Sequence, residues 1–259
     1  MQYAVCIVPV SPLRATDSHR SEMVSQLLLG ECGEVLEERK DFIKLKTLYD
    51  DYEGWCQRSQ LELMAKLPGD QQSQVLVGDY TDRVLINGME AHVPMGAVVI
   101  APAGEELQLG HYKLRYQLAS PWHAGTAVVS AEAITARAMR YLNTAYLWGG
   151  RSIFGIDCSG FSQSVFRFFN YKLLRDAYQQ ATQGSLVGFL QEARCGDLAF
   201  FDNDEGRITH VGIMLNQEEI IHASGKVRID KIDNAGIIHA ETGQRTHKLR
   251  MVRRYFEKI

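Results

Sequence analysis

Over residues 1–68 short apolar runs alternate with polar turns, at 5–8, 26–29, 34–36, 42–45 and 54–56. Runs this short, each bounded by turn residues, predict a small β-barrel. Residues 67–74 (Leu-Pro-Gly-Asp-Gln-Gln-Ser-Gln) open on Pro-Gly and are polar, the composition of a linker, and they set the first boundary. Residues 75–118 carry a second set of short strands, including the apolar 97–100 and the alternating 111–116 (His-Tyr-Lys-Leu-Arg-Tyr), and predict a second small barrel. Residues 120–125 (Ser-Pro-Trp-His-Ala-Gly) punctuate the chain again.

The period then changes. Within 131–142, Ile134, Ala138 and Leu142 stand four apart, on one face of a helix. A second helix is predicted over 158–169, with Phe161, Val165 and Phe168 along one stripe and Asp157 as its N-cap. Strands follow at 198–201, 210–215 and 219–223, and the basic stretch 248–255 is read as the strand that closes their sheet. Helices followed by strands imply an α+β region. The chain is thereby divided at 1–68, 69–125 and 126–259.

Composition narrows the class. A length of 259 residues exceeds the common domain size of about 100–150 and suits two or three compact units. With 46% hydrophobic residues, 23% charged and 6 prolines, neither a disordered polymer nor a fibrous repeat fits. The formal charge of −3 offers no global field for nucleic acid or anionic lipid, so neither nucleic acid nor membrane is an expected partner. Apolar stretches such as 96–102 fall short of the ~20 residues that cross a bilayer. Residues 4–10 are apolar, but no Lys or Arg precedes them and no small-residue cleavage pattern follows, so no signal peptide is expected. The five cysteines (Cys6, Cys32, Cys56, Cys158, Cys195) are odd in number and hold no CxxC pair. They suit a reducing cytoplasm better than a disulfide framework or zinc ribbon.

One cysteine sits where chemistry is expected. Gly149, Gly150 and Gly155 lead to Asp157-Cys158-Ser159-Gly160, which delivers Cys158 to the first turn of an apolar-striped helix. Orphan N–H groups and the dipole there favour a thiolate, the nucleophilic form. The competing reading is a buried structural cysteine. His210 and His222, each at the edge of a predicted strand, supply a base and an orienting group if those strands are neighbours. A metal site from Cys158, Cys195, His210 and His222 competes, but the step from 210 to 222 matches no common zinc spacing. No Gly-x-Ser-x-Gly elbow and no phosphate loop is present.

The ordered segments Tyr146-Leu-Trp-Gly-Gly, Gly155-Ile-Asp-Cys-Ser-Gly-Phe, Gly196-Asp-Leu-Ala-Phe-Phe, Thr209-His-Val-Gly-Ile and Ile221-His-Ala-Ser resemble the NlpC-type family of cell-wall cysteine peptidases. The resemblance covers roughly residues 126–259. It implies a papain-like α+β core with Cys158 as nucleophile, His210 as base and His222 as the orienting third residue, and no metal or other cofactor. Ahead of it, Ser21-Glu-Met-Val-Ser-Gln-Leu-Leu-Leu-Gly-Glu, Tyr52-Glu-Gly-Trp and the two barrel-like segments resemble the SH3-like modules of the γ-D-glutamyl-L-diamino acid endopeptidases.

That subgroup implies a murein tripeptide or tetrapeptide substrate with a free N-terminal L-alanine. It implies Glu22 and Tyr52 on the ammonium side of the pocket; their alternative is surface charge and barrel core. Asp157 is a helix cap or, with the substrate ammonium offsetting its charge, a ligand. Tyr146, with the backbone N–H of Cys158, would stabilise the oxyanion; otherwise it is an aromatic core residue. Ser159 would bind the D-glutamyl α-carboxylate, or merely solvate backbone. The family's Arg-Asp-Ser-x-x-Gln reads here as Arg175-Asp-Ala-Tyr-Gln-Gln, with Ala177 at the usual serine. Tyr49, Trp55, Trp122 and Trp148 receive no role, and Arg245, Lys248, Arg250, Arg253 and Arg254 are read as a solvated strand face.

The expected function is cytoplasmic cleavage of the γ-D-glutamyl bond to the diamino acid in murein recycling. Diaminopimelate and lysine both remain open at that position, and no residue pattern assigns an oligomeric state. The alternatives are an exported peptidoglycan hydrolase acting on intact wall, and a non-catalytic wall-binding module.

Overall fold

The computed structural model describes residues 2–68, 75–102 and 104–257; residues 69–74 of the expected linker lie outside the described residues. The chain divides into two compact units, Met1–Ala127 with Trp148–Phe154, and Val128–Leu147 with Gly155–Ile259.

In the first unit β1 (Tyr3–Cys6), β2 (Val10–Arg14), β3 (Met23–Leu28), β4 (Cys32–Glu38), β5 (Phe42–Thr47), β6 (Glu53–Gln57) and β7 (Leu61–Met64) form one sheet in the order β3-β2-β6-β5-β4-β1-β7. Along β5 the side chains of Ile43, Leu45 and Thr47 are buried while Lys44 and Lys46 are half-exposed, the alternation of a strand with one wet face. Ile43 and Leu45 pack with Ala4, Cys6, Leu13, Leu27, Cys56 and Leu61. The sequence reading missed β2 and β7. Pro12 lies within β2, and the strand tolerates it because its pairing with β6 is confined to Arg14 opposite Trp55.

The strands β8 (Val75–Val77), β9 (Thr81–Ile86), β10 (Met89–Pro94), β11 (Glu106–Leu109), β12 (Tyr112–Gln117) and β13 (Pro121–His123) follow, as a four-stranded sheet β10-β9-β12-β11 and a β13-β8 pair. Residues 97–100, expected as a strand, are not one. They run as irregular backbone with a single bridge from Val98 to Leu76, yet Ala97, Val99 and Ile100 are buried in a core that includes Val5, Leu28 and Cys32 of the seven-stranded sheet and Leu29 of the turn after β3. Burial without a ladder is possible because Val98 donates to the Leu29 carbonyl at 3.2 Å and its own carbonyl accepts from the Tyr116 hydroxyl at 3.1 Å. Gly30 makes this approach possible: its φ is +81°, and a Cβ there would stand 2.5 Å from the Val98 carbonyl oxygen. The unit also holds the short strand β14 (Arg151–Ser152).

In the second unit α1 (Ala131–Met139) is capped by Ser130, whose hydroxyl accepts from the Ala133 N–H. It ends short of Leu142, because Asn143 takes the left-handed conformation with φ at 66°. β15 (Gly155–Ile156) leads into α2 (Cys158–Arg167), followed by α3 (Ala177–Gln180), β16 (Ser185–Val187), β17 (Leu198–Asp202), β18 (Ile208–Met214), β19 (Glu219–Ser224), β20 (Lys226–Asp233), β21 (Gly236–Ile238) and β22 (Arg245–Arg254). The sheet order is β16-β22-β17-β18-β19-β20-β21, and β21 pairs back onto β22. The last strand therefore does close the sheet, into a barrel filled by Ala199, Phe201, Met214, Ile220, Ile232, Ile237 and Val252. β15, β16, β20, β21 and α3 went unread in the sequence. Among the described residues no helix is long and apolar enough to cross a membrane.

Candidate active site

Cys158 is the first residue of α2, and the Asp157 carboxylate caps that helix by accepting from the Gly160 N–H at 2.6 Å. Phe161 and Val165 are fully buried on the apolar face of α2, which packs on β18 and β19. This packing carries the helix N-terminus to the strand that bears His210. The backbone of Val211, the next residue after His210, is near enough to the Cys158 thiol to oppose the rise in its pKa.

The two histidines are brought together by register. Gly212 stands opposite His222 on the β18–β19 ladder, and His210 Nε2 lies 2.8 Å from His222 Nδ1. A side chain at 212 would crowd this pair, since a Cβ there would be 2.8 Å from the His222 Cβ and 2.6 Å from Ile220 Cδ1. His222 Nε2 in turn lies 2.9 Å from Asp230 Oδ2. Arg228 grips the same carboxylate, Nε to Oδ2 at 2.8 Å and an Nη to Oδ1 at 3.0 Å, and the Ala240 N–H adds a fourth bond at 2.8 Å. His247 of β22 stacks on His210 with ring centroids 4.1 Å apart.

Burial dominates the electrostatics. It pushes the Cys158 thiol up to about 12, with Asp157 adding to the effect and the Val211 backbone, Arg175 and the Ser159 backbone opposing it. The sequence reading weighed the helix terminus and expected a thiolate; with Cys158 only 6% exposed, desolvation wins. Burial, then His222 and His247, hold His210 well below the usual imidazole range. Burial lowers His222 against the pull of Asp230, and brings His247 down to about 4. For Asp230 burial works the other way, but hydrogen bonds from His222, the Ala240 N–H and Arg228 keep its carboxyl well below the ordinary carboxylate range. The resting set is a neutral thiol, neutral imidazoles and a charged Asp230.

Beneath the nucleophile lies a buried ion pair. Arg175 spans both Asp157 oxygens, at 3.1 Å and 2.6 Å, and donates to the Ser159 hydroxyl at 2.9 Å. The cation that offsets Asp157 is thus supplied by the chain itself, a correction to the expectation that a substrate ammonium supplies it. The Ser159 hydroxyl is likewise engaged internally. Gln180 donates to the Ser159 carbonyl at 3.0 Å and accepts from the Ser162 hydroxyl at 2.7 Å, so Arg175 to Gln180 buttresses the start of α2. Tyr146 is half-buried; burial, then the neighbouring Cys158 and Asp157, raise its hydroxyl pKa and keep it a neutral donor.

Glu22 and Tyr52 belong to the first unit. Glu22 is exposed and accepts from Trp148 Nε1 at 2.6 Å, while Tyr52 packs against the core of the seven-stranded sheet. Arg151 anchors the segment that carries Trp148, pairing with the buried Glu31 at 3.1 Å and donating to the Gln26 carbonyl at 2.7 Å.

Sequence reasoning missed Asp230, Arg228 and His247. A signal for the first two existed: beyond the Gly225 turn, Arg228 and Asp230 are two apart on a strand and share a face with His222, which stands opposite Arg228. His247 had none, because β22 comes near β18 only through the long-range pairing that sets it beside β17.

Residues 143–246 match the NlpC/P60 family, and residues 13–61 match the bacterial dipeptidyl-peptidase Sh3 domain, which makes the N-terminal region SH3-like. The chain is 30% identical over 181 residues to a γ-D-glutamyl-L-lysine dipeptidyl-peptidase of Bacillus subtilis, a match spanning 66% of this chain and 60% of that protein's length. It is 26% identical over 261 residues to dipeptidyl-peptidase 6 of Lysinibacillus sphaericus, covering 89% of this chain and 92% of that one. A crystal structure of an NlpC/P60 family protein from Bacillus cereus ATCC 10987 shares the fold, with a TM-score of 0.76 at 19% identity over 98% of this chain and 99% of that one. The chain thus carries an NlpC/P60 domain, with a bacterial SH3 domain ahead of it.

Proposed function

We propose that the protein is a cytoplasmic cysteine endopeptidase of murein recycling that cuts the γ-D-glutamyl bond to the diamino acid in peptides with a free N-terminal L-alanine. The observation that carries the reading is Cys158 at the start of α2, a helix packed on the two strands that bear the bonded pair His210–His222. In this mechanism the Cys158 sulfur attacks the γ-carbonyl as its proton passes to His210. Tyr146 and the Cys158 N–H donate to the oxyanion. His210 then protonates the leaving amine of the diamino acid, leaving a thioester. Water, deprotonated by His210, attacks the thioester and releases L-Ala-D-Glu.

The name of the Bacillus subtilis relative supports the bond chosen. Glu22 and Tyr52 stay the ammonium-side candidates that the resemblance implies, since Asp157 and Ser159 already hold Arg175. The second set of strands is taken as another SH3-like barrel, so that 1–68, 69–125 and 126–259 are the three parts. The five unpaired cysteines favour a reducing compartment.

Hydrolysis of L-Ala-γ-D-Glu-diaminopimelate, free or capped at its N-terminus, tests the reading with wild-type and Cys158→Ala protein. Cleavage of the free peptide alone, by wild type alone, is expected. Equal cleavage of both would favour a wall hydrolase, and cleavage of neither a binding module.

A further inference from the structure

We propose that Asp230, clamped by Arg228, is a positioning residue that fixes the tautomers of both histidines and leaves His210 Nδ1 bare to accept the Cys158 proton. The inference rests on the reading that Cys158, His210 and His222 do the chemistry. Its support is the hydrogen-bond chain and the rule that a carboxylate only accepts.

Asp230 is 2% exposed, and three of the groups around it are unambiguous donors: Arg228 Nε and Nη and the Ala240 N–H. A buried carboxylate so surrounded stays charged, and a charged carboxylate 2.9 Å from His222 Nε2 requires that nitrogen to carry a proton. A neutral imidazole has one N–H, so His222 Nδ1 is an acceptor. His210 Nε2, 2.8 Å away, must therefore donate, and His210 Nδ1 holds the lone pair. When the thiol proton arrives at Nδ1, His210 becomes an imidazolium that still donates from Nε2, and its charge faces a neutral His222 backed by the Asp230 anion. Asparagine cannot replace the carboxylate. Flipped either way, its NH2 meets donors: His222 Nε2 and Arg228 Nε on one side, the Ala240 N–H and Arg228 Nη on the other.

Two measurements test this. Long-range proton–nitrogen NMR on the wild-type protein near pH 7.5 reads which ring nitrogen is protonated, and His210 and His222 are both expected as Nε2–H tautomers. An Nδ1–H His210 would overturn the proposal whatever any variant does. Asp230→Asn should lower kcat about 10- to 100-fold with little change in KM, and Asp230→Glu should recover part of the loss. The pH profile of kcat should move in Asp230→Asn as well. The groups facing the relay there are His247 from β22, His239 and Glu241 around Arg228, and Arg228 itself. A folded Asp230→Asn protein with wild-type kcat and pH profile would also overturn it. If wild type cuts no murein peptide, the functional reading fails while the tautomer experiment still decides this one.

Discussion

His247 stacks face to face on His210, the ring centroids 4.1 Å apart and the planes inclined by 25°. Two imidazolium charges cannot share that space cheaply, and burial already holds His247 down at about 4 and His210 and His222 below their usual range. In the unfolded chain all three titrate near ~6.5. Between about 6.5 and about 4 the unfolded state takes up protons that the folded state refuses, so stability present above 6.5 is lost as pH falls through this window. Urea midpoints should drop over it, and less steeply in His247→Phe, which keeps a ring without a titrating nitrogen. Equal slopes in the two proteins would remove His247 from this account.

The neutral resting pair makes a prediction about reactivity. With its thiol at about 12, Cys158 should be alkylated by iodoacetamide slowly at neutral pH and ever faster toward alkaline pH. A rate plateau already reached below pH 6 would instead indicate a standing thiolate–imidazolium pair.

Arg175 and Asp157 are 1% and 9% exposed at their side chains. Removing one partner of such a pair strands a buried charge, at a cost of about 3–5 kcal/mol. Arg175→Met should lose stability of that order in denaturant unfolding, whereas a loss under about 1 kcal/mol would mean that the pair behaves like a surface one.

Gly212→Ala tests the ladder behind the histidines. The added methyl meets His222 Cβ at 2.8 Å, and overpacking of this kind costs about 1–3 kcal/mol. Because His222 is displaced together with Ile220, turnover should fall as well as stability. An unchanged kcat in this variant would show that the His210–His222 bond tolerates a shift.

His222→Ala should slow turnover while leaving residual activity, as loss of an orienting residue does, whereas Cys158→Ala should abolish it without unfolding the protein. A full-rate His222→Ala enzyme would take His222 out of the site.

Much of the site was legible in the chain because it is written locally. An acidic cap, a cysteine and a striped run placed Cys158 on a helix start, and the apolar runs around His210 and His222 placed both on strands, where the hairpin between them aligns Gly212 with His222. Local patterns also showed β1, β3, β4, β5, β6 and β12 of the first unit, but not β2, which holds Pro12, or β7.

What the sequence by itself determined was therefore the elements that carry the candidate groups Cys158, His210 and His222, since caps, stripes and alternation act over a few residues. The tertiary structure alone decided their protonation and support. Desolvation of Cys158 depends on everything packed around α2, and the long-range pairing that sets β22 beside β17 lets His247 stack on His210. Folding of the 175–180 segment beneath α2 makes Arg175 the counter-charge of Asp157. These are sums over contacts distant in sequence, and no local pattern carries them.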